Sequence, residues 1–168
     1  MNLPTPESLS PSAFKYRLPV MLSITGGPPV AGWLSVSRHS ELRHGPQTLL
    51  ERLNERVRVL PVVHSEVTHL VTRSLIEWAQ AAPGVDPTLI GPAAFGVTRE
   101  ERASLRLRSG RVLHGVIAIE MPVDFNRTSD FLNGDDDFFA IRCAEQTLIV
   151  NKRRVRDVRL ETRPGSRE

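Results

Sequence analysis

Apolar and polar residues alternate with a period of two over several short stretches, the pattern of half-buried β-strands. Val20 to Thr25 alternates this way and runs into Gly26-Gly27-Pro28-Pro29. That is turn material, because glycine accepts positive φ and proline cannot donate to a ladder. A second strand is predicted from Val30 to Ser37, then a polar loop over Arg38 to Pro46. Gln47 to Asn54 switches period and places Leu49, Leu50 and Leu53 on one helical face. Strands follow at Val57–His64, Val67–Arg73 and Leu75–Ala79.

The same order then recurs. Leu22, Ile24, Gly27, Val30, Gly32, Leu34 and Val36 fall on Leu105, Leu107, Gly110, Leu113, Gly115, Ile117 and Ile119, each 83 positions on. Leu53, Asn54, Val62, Thr68, Val71 and Ile76 fall on Leu132, Asn133, Ile141, Thr147, Val150 and Val155, each 79 on. The second copy therefore reads as strands at Leu105–Arg108 and Val112–Ile119 and a helical turn at Thr128–Asn133, capped by Ser129 or Thr128. Three further strands are Phe138–Cys143, Thr147–Asn151 and Val155–Leu160, the first two joined at Ala144-Glu145. A loop shortened by four residues accounts for the change of offset.

The expected organisation is a leader over residues 1–17 with a helical turn near Ala13–Tyr16, and a first repeat at 18–80. A proline- and glycine-rich linker follows at 81–102, pinned by Leu89, Ile90 and Phe95, then a second repeat at 103–162 and a tail at 163–168. Gly32 and Gly115 recur where a long strand must bend, since a residue without Cβ admits a close neighbouring backbone. Five short strands, one of them long and bent, suit a small closed barrel, and closure removes exposed edges. The fold class expected is mainly β, two tandem five-stranded barrels, each with a short helix between its second and third strands.

Leu105 to Gly110 followed by Gly115 resembles the opening hairpin of the Sm-like family of SH3-like small barrels. Val150 to Val158 is similar to that family's closing segment, and Val71 to Ile76 matches it in the first copy. The resemblance covers roughly 18–79 and 103–160 and implies the fold. The family's RNA-contacting residues are replaced: Met121 stands where Asp is expected, and Asn151-Lys152 and Thr72-Arg73 stand in place of Arg-Gly. Asp130 to Asn133 also resembles bacterial domains of unknown function.

Charge changes this picture little. The isoelectric point is near 9.7 but the net charge is only +3. Lys15 and Lys152 are the only lysines, so arginine lifts the isoelectric point without a strong field at neutral pH. Lone Cys143 precludes an intrachain disulfide and reads as a buried strand residue. The N-terminal stretch lacks a basic start followed by an apolar core, and no apolar run approaches the roughly 20 residues of a membrane span. A cytoplasmic location is expected.

Candidate chemistry is sparse. His39, His44, His64, His69 and His114 lack zinc-site spacing, although His64 and His69 could face one another across Ser65-Glu66. Asp135-Asp136-Asp137 lacks the alternating ligands and closing glutamate of a calcium loop. Glu120, Asp124 and Asp130 have no spacing that brings them together for acid–base work. No metal, cofactor or catalytic residue is expected, and the chain reads as no enzyme.

The strongest charged feature is Lys152-Arg153-Arg154-Val155-Arg156, with Arg159 beyond. It suits a phosphate-contacting edge or a charged edge strand that blocks aggregation. Arg38, His39, Arg43 and His44 lie in the first copy's longer loop, a candidate partner contact. Because the core pattern is duplicated and the polar residues are not, the leading expectation is an interaction or scaffold module binding protein, itself or another. An RNA- or DNA-binding adaptor using Lys152 to Arg159 is the alternative. A small-ligand sensor at the cleft between the repeats is a third.

Overall fold

The computed structural model describes residues 15–92, 99–122, 127–144 and 146–161. The first half comprises β1 (Lys15–Ile24), β2 (Val30–Ser37), α1 (Leu49–Asn54), β3 (Val59–His64), β4 (Val67–Thr72) and β5 (Ile76–Ala81). The second comprises β6 (Arg99–Leu107), β7 (Val112–Ile119), α2 (Thr128–Asn133), β8 (Phe138–Cys143), β9 (Gln146–Asn151) and β10 (Val155–Leu160). From α1 onward each element recurs 79 positions later with identical length, including the 3-10 turns Arg73–Leu75 and Lys152–Arg154.

All ten strands belong to one antiparallel sheet, ordered β10-β6-β7-β8-β9-β5-β1-β2-β3-β4. Each half thus keeps its own order, fifth strand first, then the others in sequence. The halves join where β5 pairs with β9: Trp78 opposite Val150, Ala79 opposite Ile149, Gln80 opposite Leu148.

Several boundaries differ from the sequence reading. Lys15 and Tyr16 belong to β1, opposite Ser37 and Val36, rather than to a helical turn; Ala13 lies outside the described residues. β6 starts at Arg99 instead of Leu105, because Arg99-Glu100-Glu101-Arg102 finds a ladder along β7 from Ile119 to Val116. Strand pairing there outweighs the low strand propensity of charged residues. α1 begins after Thr48, which closes a capping box with Glu51. For α2 the cap residue is Arg127, with no side-chain bond, while the expected cap Thr128 is buried inside the first turn.

Gly32 and Gly115 answer to one constraint. A Cβ on Gly32 would lie 2.6 Å from the Val63 carbonyl oxygen, and one on Gly115 would lie 2.4 Å from that of Arg142. β2 and β7 cross β3 and β8 at these points, backbone against backbone.

Two apolar cores result, and they share residues across the joint. The first holds Leu18, Leu22, Leu34, Leu53, Leu60 and Ala79 from the first half, but also Phe138, Ala140 and Ile149 from the second. The second core, around Leu105, Ile117 and Phe139, takes in Trp78 from the first half. Leu89 and Ile90 pack on the first core as expected, whereas Phe95 lies outside the described residues. Asn54 ties the halves further: its amide donates to the Phe138 carbonyl at 3.1 Å and accepts from the Phe138 N–H at 2.8 Å.

Candidate interaction surface

Among the described residues, the sheet ends in two strands with one neighbour each, β4 and β10. They are the counterparts of β9 and β5, the strands that join the halves.

In the joint, Phe138, Ala140 and Ile149 point away from their own half's core and into the core of the other half, at 2%, 5% and 0% exposure. Their counterparts 79 positions earlier are Val59, Pro61 and Leu70. Pro61 and Leu70 sit opposite each other in the β3–β4 pair, two residues beyond Val59 and so on the same face. All three are exposed, Leu70 at 72%. Val67 at the start of β4 is also exposed. β4 carries no Lys, Arg, Asp, Glu or proline in Val67-Thr68-His69-Leu70-Val71-Thr72, so it lacks the usual devices that protect a sheet edge.

The basic segment is largely committed to the fold. Lys152 turns inward: its Nζ donates to the Phe131 carbonyl at 2.7 Å and lies 5.0 Å from that ring's centre. Burial pulls its pKa down from the ordinary lysine value, against the charges of Asp136, Asp137 and Asp135. Arg153 Nε donates to Asp137 at 2.9 Å, and Arg154 donates twice to the Ser74 carbonyl, at 3.1 and 2.6 Å. Arg156 and Arg159 remain exposed on β10, where Asp157 lies beside Arg106. The structure therefore splits this cluster rather than presenting it as one surface.

Asp137 is the centre of the polar contacts across the joint. It accepts from Arg73 at 2.7 Å as well as from Arg153. Partial burial opposes its ionisation, but the hydrogen bonds and charges of both arginines outweigh that and hold its pKa below the ordinary carboxylate value. A depressed carboxyl pKa contributes stability that is complete above the unfolded pKa and is lost as pH falls through the folded one. Asp137→Asn should therefore flatten the acid limb of a stability–pH profile measured by urea unfolding, and an unchanged acid limb would rule this out.

In the first-copy loop, Arg38 stacks its guanidinium 5.2 Å over the Tyr16 ring, and His39 and His44 are exposed. Arg43 donates to the Pro46 carbonyl at 2.7 Å, and its Nε forms an ion pair with Glu51 at 3.3 Å. This loop and α1 line an open cleft of about 510 Å³ that Glu120 and Asp136 close from the other half. Desolvation there, reinforced by Asp136 and Glu51, raises the Glu120 carboxyl pKa. The polar residues of the loop brace one another, and the exposed positions are His39, Glu41, Leu42, His44 and Gly45.

His64 and His69 are not directly opposed. His64 faces Val67, and His69 faces Val62. Among the described residues, no three His, Cys, Asp or Glu side chains converge as for a metal. Cys143 is half-buried rather than buried, at the end of β8, and desolvation raises its thiol pKa. Phe138 and Phe139 are buried in the core, and Phe131 packs edge-on against Phe139 at 6.0 Å. Asp124, Phe125 and Glu145 lie outside the described residues.

What the sequence reading missed is the Val59–Pro61–Leu70 patch. Its signal was present: the counterparts Phe138, Ala140 and Ile149 are equally apolar at positions that should face solvent in an alternating strand. Comparisons with protein families, with curated proteins and with solved structures find no match to this chain.

Proposed function

We propose that this chain is a non-catalytic protein-interaction module. Its two halves are read as small SH3-like barrels of Sm-like strand order, set side by side, and a partner is recruited at the open edge of β4. One observation carries this reading: Leu70 is 72% exposed, while Ile149, at the same place in the other half, is fully buried against a paired strand. An open strand offers main-chain hydrogen bonds and the apolar patch beside it offers specificity, the two elements of β-strand addition. The nucleic-acid alternative rests on Arg156, Arg159 and the largely exposed Arg153, since Lys152 and Arg154 are engaged within the chain.

Site-specific photocrosslinking in the native host separates the readings. A photoreactive residue at position 70 is expected to give a protein adduct, and one at position 156 no nuclease-sensitive adduct. No adduct at position 70, or a nuclease-sensitive one at position 156, would count against the module reading.

A further inference from the structure

We propose that the partner at β4 is a second copy of this chain, paired β4 to β4 about a two-fold axis at Leu70, so that assembly stops at two copies. The inference rests on the interaction reading above and names its occupant.

The joint inside the chain offers another candidate occupant, β10 of a further copy, but the residues at β10 argue against it. Trp78 on β5 is 5% exposed and belongs to the second core. Its counterpart on β10 is Asp157, which is exposed beside Arg106. Copying the internal joint between molecules would carry the Asp157 carboxylate to the place of a core tryptophan, and a buried lone charge is costly. The polar contact of the joint fails as well. Arg73 meets Asp137 inside the chain, whereas Lys152 and Arg58 hold the equivalent places at the two open ends, so that cation would meet cation. Arg156, Asp157 and Arg159 instead give β10 the charges that protect a sheet edge. Of the two outer strands of the described sheet, only β4 lacks such charges.

The open edge of β4 is self-complementary. Arg73 N–H donates to the Arg58 carbonyl at 3.0 Å. Counting back by twos along the antiparallel ladder turns Val71, His69 and Val67 toward β3, and leaves the N–H and C=O of Thr72, Leu70 and Thr68 at the open edge. Those three residues read the same in both directions: threonine, leucine, threonine. A two-fold axis at Leu70 therefore sets Leu70 against Leu70 of the second copy and each Thr68 against Thr72, apolar and Thr–Thr pairs that stabilise antiparallel strands. The Leu70 side chain, 72% exposed, gains an apolar neighbour, and the two patches of Val59, Pro61 and Leu70 join into one strip.

The ends of the strand match in charge. Glu66 is exposed in the turn before β4, and Arg58 is exposed at the other end, across the ladder from Arg73. Antiparallel pairing about the axis brings Glu66 of each copy toward Arg58 of the other. Such a contact is isologous: it uses the β4 edge of both copies, leaves none open, and closes at a dimer.

The test uses the full chain. Light scattering behind size exclusion, over a concentration series, should show a mass that rises from 18.8 kDa to twice that value and no further. Leu70→Lys, at an exposed side chain, should stay monomeric at every concentration with its circular dichroism unchanged, since the axis would set lysine against lysine. In a chain freed of its one cysteine by Cys143→Ser, Leu70→Cys should form a disulfide-linked dimer under mild oxidation. Hydrogen-bonded antiparallel partners stand about 5.5 Å apart at Cα, within disulfide reach. Val67→Cys, also exposed on β4, should not link, because its mate across the axis is residue 73. Species larger than a dimer, or equal linking at positions 67 and 70, would overturn the two-fold pairing. A monomeric unaltered chain overturns the inference as well; a position-70 photoadduct with a different protein then leaves the interaction reading standing, and no adduct removes both.

Discussion

Phe138→Ala should destabilise the whole chain by about 4 kcal/mol, lowering the thermal midpoint by roughly 8 to 16 °C. Phe138 belongs to the second half by sequence, yet its side chain is 2% exposed within the first half's core. Its backbone is also clasped by Asn54 from α1. Truncation leaves a cavity bounded by both halves, and the two cores cannot relax independently around it. Scanning calorimetry should show one transition before and after the substitution, with the whole peak displaced. Two resolved transitions, only one of them displaced, would mean that the halves fold separately.

Gly115→Ala should cost about 3 kcal/mol, at the upper end of ordinary overpacking. The added methyl would lie 2.4 Å from the Arg142 carbonyl oxygen and 2.8 Å from a methylene of Ile141. The first of these is backbone held in a strand pair, so it cannot swing aside as a side-chain end would. Gly27→Ala is the control, since a Cβ there meets nothing within 4 Å. Urea unfolding of the two variants should therefore give a large displacement of the midpoint for Gly115 and almost none for Gly27. Equal effects would show that loss of glycine flexibility, and not the crossing of β7 over β8, governs the position.

The repeat was legible because each half solves the same packing problem with the same apolar spacing. α1, β3, β4 and β5 recur as α2, β8, β9 and β10 at the spacing that Leu53 and Leu132, or Val71 and Val150, set in the chain. Edges of elements were less legible. Arg99 to Arg102 reads as polar linker, since nothing local says that β7 extends far enough to pair with it. The basic run misled for a similar reason: a side chain as long as Lys152 can reach either solvent or the Phe131 carbonyl, and only the position of α2 chooses.

The amino-acid sequence by itself determined a mainly β chain, two like halves, the glycine crossings and a short helix in each half. These follow from local periodicity and sterics, which neighbouring residues carry in full. Tertiary structure alone decided that β5 pairs with β9, that Phe138, Ala140 and Ile149 cross into the other half, and that Val59, Pro61 and Leu70 do not. Both sets of residues are apolar and sit at equivalent places. Their burial differs because one edge of the repeated unit meets its partner within the chain, and the other lies at the outer edge of the described sheet.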